Sequence, residues 1–187
     1  MLTKPPHLFD DATRVTAGDS RWQGHTSDDY WAFVGPFGGA TAATILRALI
    51  DHPERRGDPL SLTVNFCAPI AQGAFDLDVR LVRANRSTQH WCVELTQGGT
   101  EVGALATAVF AERRPSWSHQ AAKFPTSPPF EQVRPYPRIK ASWANQYDFA
   151  SSRARRISAR RKSRRREARF PNAGSATGRR ARSTCFP

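Results

Sequence analysis

Apolar and polar residues alternate through the middle of the chain, and this pattern marks three successive strands. Every second residue is apolar in residues 61–66, 74–82 and 88–96, and a hairpin turn then leads into a fourth predicted strand, residues 102–111. A two-residue period turns one face of each strand toward a core and the other toward water. The Gly-Gly pair at residues 97–100 predicts a hairpin turn. The apolar faces are predicted to hold Leu62, Val64, Phe66, Leu77, Val79, Trp91, Val93 and Leu95.

One long helix is predicted before these strands, over residues 39–50. The segment is rich in Ala and Leu and apolar almost all round, and Asp51-His52-Pro53 ends it. Its small residues would let its backbone lie close against a covering surface, which indicates a buried helix. Weaker extended patterns at residues 8–16 and 21–25 lie on either side of a turn cluster at residues 17–20.

The order of these elements predicts the class of fold. Four strands without intervening helices disfavour a doubly wound parallel sheet and indicate an α+β hotdog fold, in which an antiparallel sheet wraps around one long central α-helix. We assign residues 1–111 to this hotdog domain. Residues 112–141 are rich in proline and predict a linker. Residues 142–150 have the pattern of a new strand and predict the start of an incomplete second hotdog.

Charge is distributed unevenly along the chain. The net charge is +12, yet residues 1–150 hold equal numbers of acidic and basic residues, so the whole excess lies in residues 151–187. This segment has few large apolar residues and predicts a disordered, Arg-rich tail. A genuine tail would bind nucleic acid or an acidic membrane through phosphates. The composition favours the alternative, a GC-rich gene read out of frame after about residue 150, so nucleic acid is an expected partner only if the tail is genuine.

The remaining composition excludes several classes of protein. The three cysteines have no metal-ligand spacing and are too few for a disulfide framework, and the five histidines are scattered, so we predict neither a metal nor a cofactor. The chain begins without the pattern of a signal peptide, and its apolar runs are shorter than the ~20 residues of a membrane-spanning helix. We therefore expect a cytoplasmic protein.

Four motifs occur in an order that is more specific than any one of them. They are Gly35-Pro-Phe-Gly-Gly before the helix, Ser61-Leu-Thr-Val-Asn-Phe with Pro69 and Gly73, Arg83-Ala-Asn-Arg-Ser-Thr-Gln, and the strand from Ala104 to Phe110. As a set, over roughly residues 8–149, they resemble the first hotdog of the acyl-CoA thioesterase II (TesB-like) family.

The resemblance implies two hotdogs joined by a Pro-rich linker, which hydrolyse fatty acyl-CoA to a free fatty acid and CoA. It also implies that the Asp, the Thr or Ser, and the Gln that activate water belong to the second hotdog, so no catalytic residue is assigned here. The C-terminal half is expected to be missing through truncation or a frameshift. A chain of this kind would be weakly active or inactive alone, and a non-catalytic acyl- or CoA-binding module is the alternative.

Five residues are candidates for substrate binding. Gly38 and Gly39 would let a thioester carbonyl approach the first N–H groups of the helix, where the helix dipole favours negative charge. They could equally permit only a tight turn. Arg86, Ser87 and Gln89 could contact CoA, or they could form a solvated connection between strands. Because a lone hotdog exposes sheet edges, we also predict a homodimer formed through the sheet.

Overall fold

The computed structural model describes residues 7–18, 21–99, 101–138 and 140–150. Three short 3-10 helices lie at Asp28–Tyr30, Phe130–Gln132 and Ser142–Gln146. The helices and strands, in chain order, are α1 (Leu8–Ala12), β1 (Thr16–Ala17), β2 (Trp22–His25), α2 (Gly38–Asp51), β3 (Asp58–Phe66), β4 (Ala74–Ala84), β5 (Thr88–Gln97) and β6 (Glu101–Ala111). The predicted long helix and the four predicted strands are all confirmed.

The strand predicted over residues 8–16 is wrong, because most of it is helix α1. His7 caps this helix: its Nδ1 accepts the N–H of Phe9, and its own N–H donates to the Asp10 carboxylate at 3.2 Å. This reciprocal capping satisfies donors that a helix start otherwise leaves free. Only Thr16–Ala17 of the predicted segment joins the sheet.

The six strands form one antiparallel sheet in the order β1-β2-β4-β5-β6-β3. Trp91, Val93 and Leu95 on β5 pair with Ala108, Ala106 and Ala104 on β6, and all six residues are buried. The small alanines allow α2 to lie close to the sheet, with Ile45, Ala48 and Leu49 in the same core. The opposite face carries exposed polar residues such as Asp78 and Arg80. The chain thus has the predicted hotdog fold.

The predicted apolar positions differ in how deeply they are buried. Leu77, Trp91, Val93 and Leu95 are in the core, whereas Leu62, Val64 and Val79 are half-buried against it. Phe66, at the end of β3, is 55% exposed. Leu62, Val64 and Phe66 lie on β3, an edge strand that pairs with β6 alone. Val79 lies on β4 beyond the part that pairs with β2, so it also has a partner strand on one side only.

Residues 142–150 contact the hotdog instead of forming a strand. Ser142–Gln146 is a 3-10 helix, so the predicted strand is wrong. The Trp143 ring stacks on Phe37 with centroids 4.4 Å apart, and the Trp143 N–H donates to the carbonyl of Trp31. That this segment begins a second hotdog stays a prediction, as do the domain boundaries.

The Arg-rich tail, residues 151–187, lies outside the described residues. The expectation of a disordered tail, and of nucleic acid as its partner, therefore stays a prediction. In the part of the chain that the structure describes, no helix is both long enough and apolar enough to cross a membrane.

Candidate functional site

The start of α2 is held by a short turn with two close backbone hydrogen bonds. Ala32 donates its N–H to the carbonyl of Gly35 at 2.8 Å, and Phe37 donates to the carbonyl of Tyr30 at 2.7 Å. Ala40 and Thr41 make the first bonds of the helix, both to the carbonyl of Phe37. Among the described residues, the N–H groups of Gly38 and Gly39 have no acceptor, as the first donors of a helix commonly do not. The first N–H groups of α2 are therefore free, and their role in binding a substrate stays a prediction.

Two aromatic rings lie directly over these glycines. A Cβ built on Gly38 would come within 3.1 Å of the Phe66 ring, and one built on Gly39 would come within 2.5 Å of the Phe37 ring. Phe37 is fixed from its other side by the stacked ring of Trp143. The glycines therefore make room for the protein's own rings.

An apolar groove of about 490 Å³ opens beside the start of α2. This volume lies within the range of small-molecule sites, roughly 300–1,000 Å³. None of the residues that line it carries a carboxylate or an imidazole, and its polar side chains are Thr41 and the free thiol of Cys67. The lining residues are Ala32, Phe33, Val34, Gly35, Pro36, Thr41, Phe66, Cys67, Ala68, Pro69 and Ile70.

The other three candidate residues lie at the opposite end of the sheet. Thr88 at the start of β5 is paired with Ala111, whereas Leu95 near its end is paired with Ala104, which neighbours Phe66. Helix α2 has 14 residues, so its two ends are about 20 Å apart. Arg86, Ser87 and Gln89 thus do not join Gly38 and Gly39 in one pocket.

Gln89 ties the loop after α2 to the sheet. Its side chain is only 2% exposed, its Oε1 accepts the N–H of Arg56 at 2.7 Å, and its Nε2 donates to the carbonyl of Glu54 at 2.8 Å. Arg86 is exposed in the turn between β4 and β5, and the carbonyl of Ser87 accepts the N–H of Glu112. The amide of Gln89 therefore bonds to backbone, while Arg86 faces solvent.

Asn85 bonds to two arginines that lie far apart in the sequence. It brings both of them close to the turn between β4 and β5. Its backbone carbonyl accepts from Arg56 at 3.3 Å, and its Oδ1 accepts from Arg83 at 2.8 Å. No ion pair of Arg56, Arg83 or Arg86 with a carboxylate is found within the described ranges. A positively charged surface results, and Arg56 is a member that sequence reasoning missed because it lies 29 residues from Asn85.

Tyr30 lies close to the donor pair but is held neutral. Burial raises its pKa above the usual value of 10, and nearby Tyr147, Asp29 and Asp10 raise it further. Its ring packs edge-on against Phe9 and Tyr147. Near neutral pH Tyr30 is a phenol with no charge, so it does not supply the base that water activation needs.

Residues 27–111 match the family described as the acyl-CoA thioesterase N-terminal domain. No curated protein shows a significant match to the sequence. A hot dog protein of unknown function from Alicyclobacillus acidocaldarius is 45% identical, with a TM-score of 0.73, over 76% of this chain and 54% of its own.

Two further solved structures share the fold at lower identity. A putative thioesterase II from Thermobifida fusca is 22% identical, with a TM-score of 0.65, over 76% of this chain and 53% of its own. The acyl-CoA thioesterase II TesB2 from Mycobacterium marinum is 22% identical, with a TM-score of 0.57, over 68% of this chain and 47% of its own. The chain thus spans about half the length of the structures it matches. Residues 27–111 thus resemble an acyl-CoA thioesterase N-terminal domain, and they contain α2 and the strands β3 to β6.

Proposed function

We propose that this chain binds fatty acyl-CoA at the start of α2 as the first hotdog of a cytoplasmic acyl-CoA thioesterase. The observation that carries the proposal is the pair of free N–H donors, at Gly38 and Gly39, beside an apolar groove in a domain of this family. The groove would hold the acyl chain, and the helix N-terminus would face the thioester carbonyl. The alternative is a module that binds acyl-CoA without hydrolysing it.

Hydrolysis needs a base in addition to these donors. Water must lose a proton as it attacks the thioester carbon, and donors must stabilise the negative charge that develops on the carbonyl oxygen. The start of α2 supplies the donors, but the lining of the neighbouring groove has no carboxylate or imidazole. We therefore propose that the chain alone is weakly active or inactive and that a second hotdog would supply the base.

The phosphates of CoA are proposed to lie near Arg86 and Ser87, at the other end of α2. The pantetheine arm separates the thioester of CoA from its phosphates, so the two binding places need not coincide. Arg56 and Arg83, both held by Asn85, add positive charge there. Guanidinium groups pair well with phosphate oxygens. Gln89 would act indirectly, by holding the loop that carries Arg56.

Calorimetric titration of the purified chain with octanoyl-CoA, CoA and octanoate tests this proposal. Arg86→Ala is expected to weaken octanoyl-CoA binding about fivefold, on the order of 1 kcal/mol, because it removes one solvent-exposed phosphate contact. Octanoate, which has no CoA phosphates, should bind the variant and the unaltered chain equally. Higher salt should reduce the difference between the two proteins.

Arg14→Ala is the matched control, because Arg14 is also exposed but pairs with Asp11 at α1, far along the chain from the turn. Its affinity for octanoyl-CoA should equal that of the unaltered chain. If neither octanoyl-CoA nor CoA binds, the proposed substrate is wrong. If both bind and Arg86→Ala has no effect, only the position of the phosphates is wrong.

We further propose a homodimer formed through β3. The nine-residue strand Asp58–Phe66 is an edge of the described sheet, and the other edge is the two-residue β1. A long edge strand offers unpaired N–H and C=O groups to another strand. Leu60 on β3 is 59% exposed, which adds apolar surface to this edge.

Sedimentation equilibrium is expected to show a dimer. Leu60→Lys should raise the dissociation constant of this dimer at least tenfold, roughly 1.4 kcal/mol, because lysine places a charge on the edge. Val82→Lys is the control, since Val82 is similarly exposed at 52% but lies at a bulge of β4, between Leu81 and Arg83, and not on β3. That variant should dimerise like the unaltered chain. A stable monomer at high concentration would contradict the proposal.

A further inference from the structure

Phe66 occupies an unusual position at the end of β3. It pairs with Ala104, just as Val64 pairs with Ala106 and Leu62 with Ala108, so it lies on the face of the sheet that carries α2. Leu62 and Val64 are half-buried in the core, but Phe66 is 55% exposed and borders the apolar groove. Its ring therefore contributes less to the core than its position on the strand suggests.

The ring of Phe66 lines the groove and also lies against Gly38, the first residue of α2, which does not line the groove. Its Cζ would lie 3.1 Å from a Cβ on Gly38, closer than an ordinary van der Waals contact. Positive φ angles occur at Gly57, Gly73, Gly98 and Gly99 among the described glycines, and not at Gly38. The backbone at residue 38 thus does not require glycine, and alanine would favour the helix by roughly 0.5–1 kcal/mol. What the glycine provides is room beside the Phe66 ring.

From this geometry we infer that Phe66 determines which acyl chains the groove accepts. This inference rests on the proposed function, because the occupant of the groove is the acyl chain of acyl-CoA. The ring therefore occupies space between the groove and a thioester at the helix N-terminus. A smaller side chain at residue 66 would join the groove to the start of α2. The carbons next to the thioester would then span this space, so a longer chain would place more methylene groups in the groove.

Titration of the full chain with octanoyl-CoA and dodecanoyl-CoA tests the inference. Phe66→Ala should shift the ratio of the two dissociation constants about tenfold in favour of dodecanoyl-CoA, since methylene groups gain a place in an apolar pocket. Val82→Ala is the control, because Val82 is 52% exposed, close to the 55% of Phe66, and does not line the groove. Its ratio should equal that of the unaltered chain.

Gly38→Ala gives a second, independent measurement. Its methyl group would displace the Phe66 ring, so it should weaken binding of both acyl-CoA ligands. In the double variant Gly38→Ala/Phe66→Ala the ring is gone, so the effect of the added methyl should be smaller, and a double-mutant cycle measures the coupling. Sedimentation of each variant separates effects on the groove from effects on the β3 edge.

The outcomes distinguish this inference from the function on which it rests. If the unaltered chain binds acyl-CoA and Phe66→Ala keeps the same ratio as Val82→Ala, the role of Phe66 is wrong and the proposed function stands. If neither the unaltered chain nor any variant binds an acyl-CoA, both are wrong. The inference is supported if Phe66→Ala shifts the ratio of the two dissociation constants, Val82→Ala does not, and the double-mutant cycle shows coupling between Phe66 and Gly38.

Discussion

Gly57→Ala is expected to lower the free energy of unfolding by at least about 3 kcal/mol, because it combines backbone strain with a steric clash. Gly57 lies between α2 and β3 with a φ of 72°, a region that residues with a Cβ rarely adopt. A Cβ there would also come within 2.3 Å of the backbone carbon and oxygen of Ala111. Backbone atoms of a central strand cannot move aside as a flexible side chain can. Urea denaturation measures the loss.

Gly98→Ala provides the matched control. Its φ of 63° is close to that of Gly57, but no atom lies within 4 Å of a Cβ built there. The variant should lose only the cost of the left-handed backbone, about 1–2 kcal/mol. The difference between the two variants isolates the clash with Ala111. Equal losses in both would show that the loop at Gly57 moves away from β6 freely, contrary to the structure.

The sequence predicted the hotdog itself because its signals are local and periodic. Alternation identified β3 to β5, and the turn at residues 97–100 predicted β6 after them. An apolar stretch ended by Asp51-His52-Pro53 identified α2 to within one residue at each end. The N-terminal prediction failed where a local signal was overlooked, since His7 and Asp10 cap a helix across an otherwise extended pattern. The strand predicted over residues 142–150 was wrong for a different reason. Their conformation depends on Trp143 stacking on Phe37, which lies more than 100 residues earlier.

Only part of the candidate site could be predicted in the same way. Gly38 and Gly39 stood out because glycines at a helix start allow close approach, and the structure places their free donors beside a groove. Phe66 was expected only on an apolar face, since its exposure follows from β3 being an edge strand. Arg56 was missed because its place depends on Gln89, 33 residues away. Sheet order and such long-range contacts are not visible in a two-residue period.

The hydrolytic activity of the chain alone is expected to be very low, and this is the largest effect expected. The purified 187-residue chain should release CoA from octanoyl-CoA far more slowly than the roughly 1 per second of an ordinary enzyme. The reason is chemical: free N–H donors lie at the start of α2, but the lining of the neighbouring groove has no carboxylate or imidazole to take a proton from water. A thiol-reactive dye that reports free CoA measures the rate. Turnover of about 1 per second or more would show that a base lies in residues 1–150. The proposal that a second hotdog supplies the base would then be wrong.

A second hotdog placed after residue 150 is expected to raise this rate at least about a hundredfold, the lower end of what a positioned general base contributes. The part of the Alicyclobacillus acidocaldarius hot dog protein that this chain does not cover is a suitable donor, because the two proteins are 45% identical and this chain covers 54% of that one. The same half expressed alone is the control for activity that needs no first hotdog. A fused protein that folds and binds octanoyl-CoA but gains no activity over its two halves would favour the non-catalytic binding module. If the fused protein gains activity and Phe66→Ala then shifts its preference toward dodecanoyl-CoA, the groove of this chain is part of the active site.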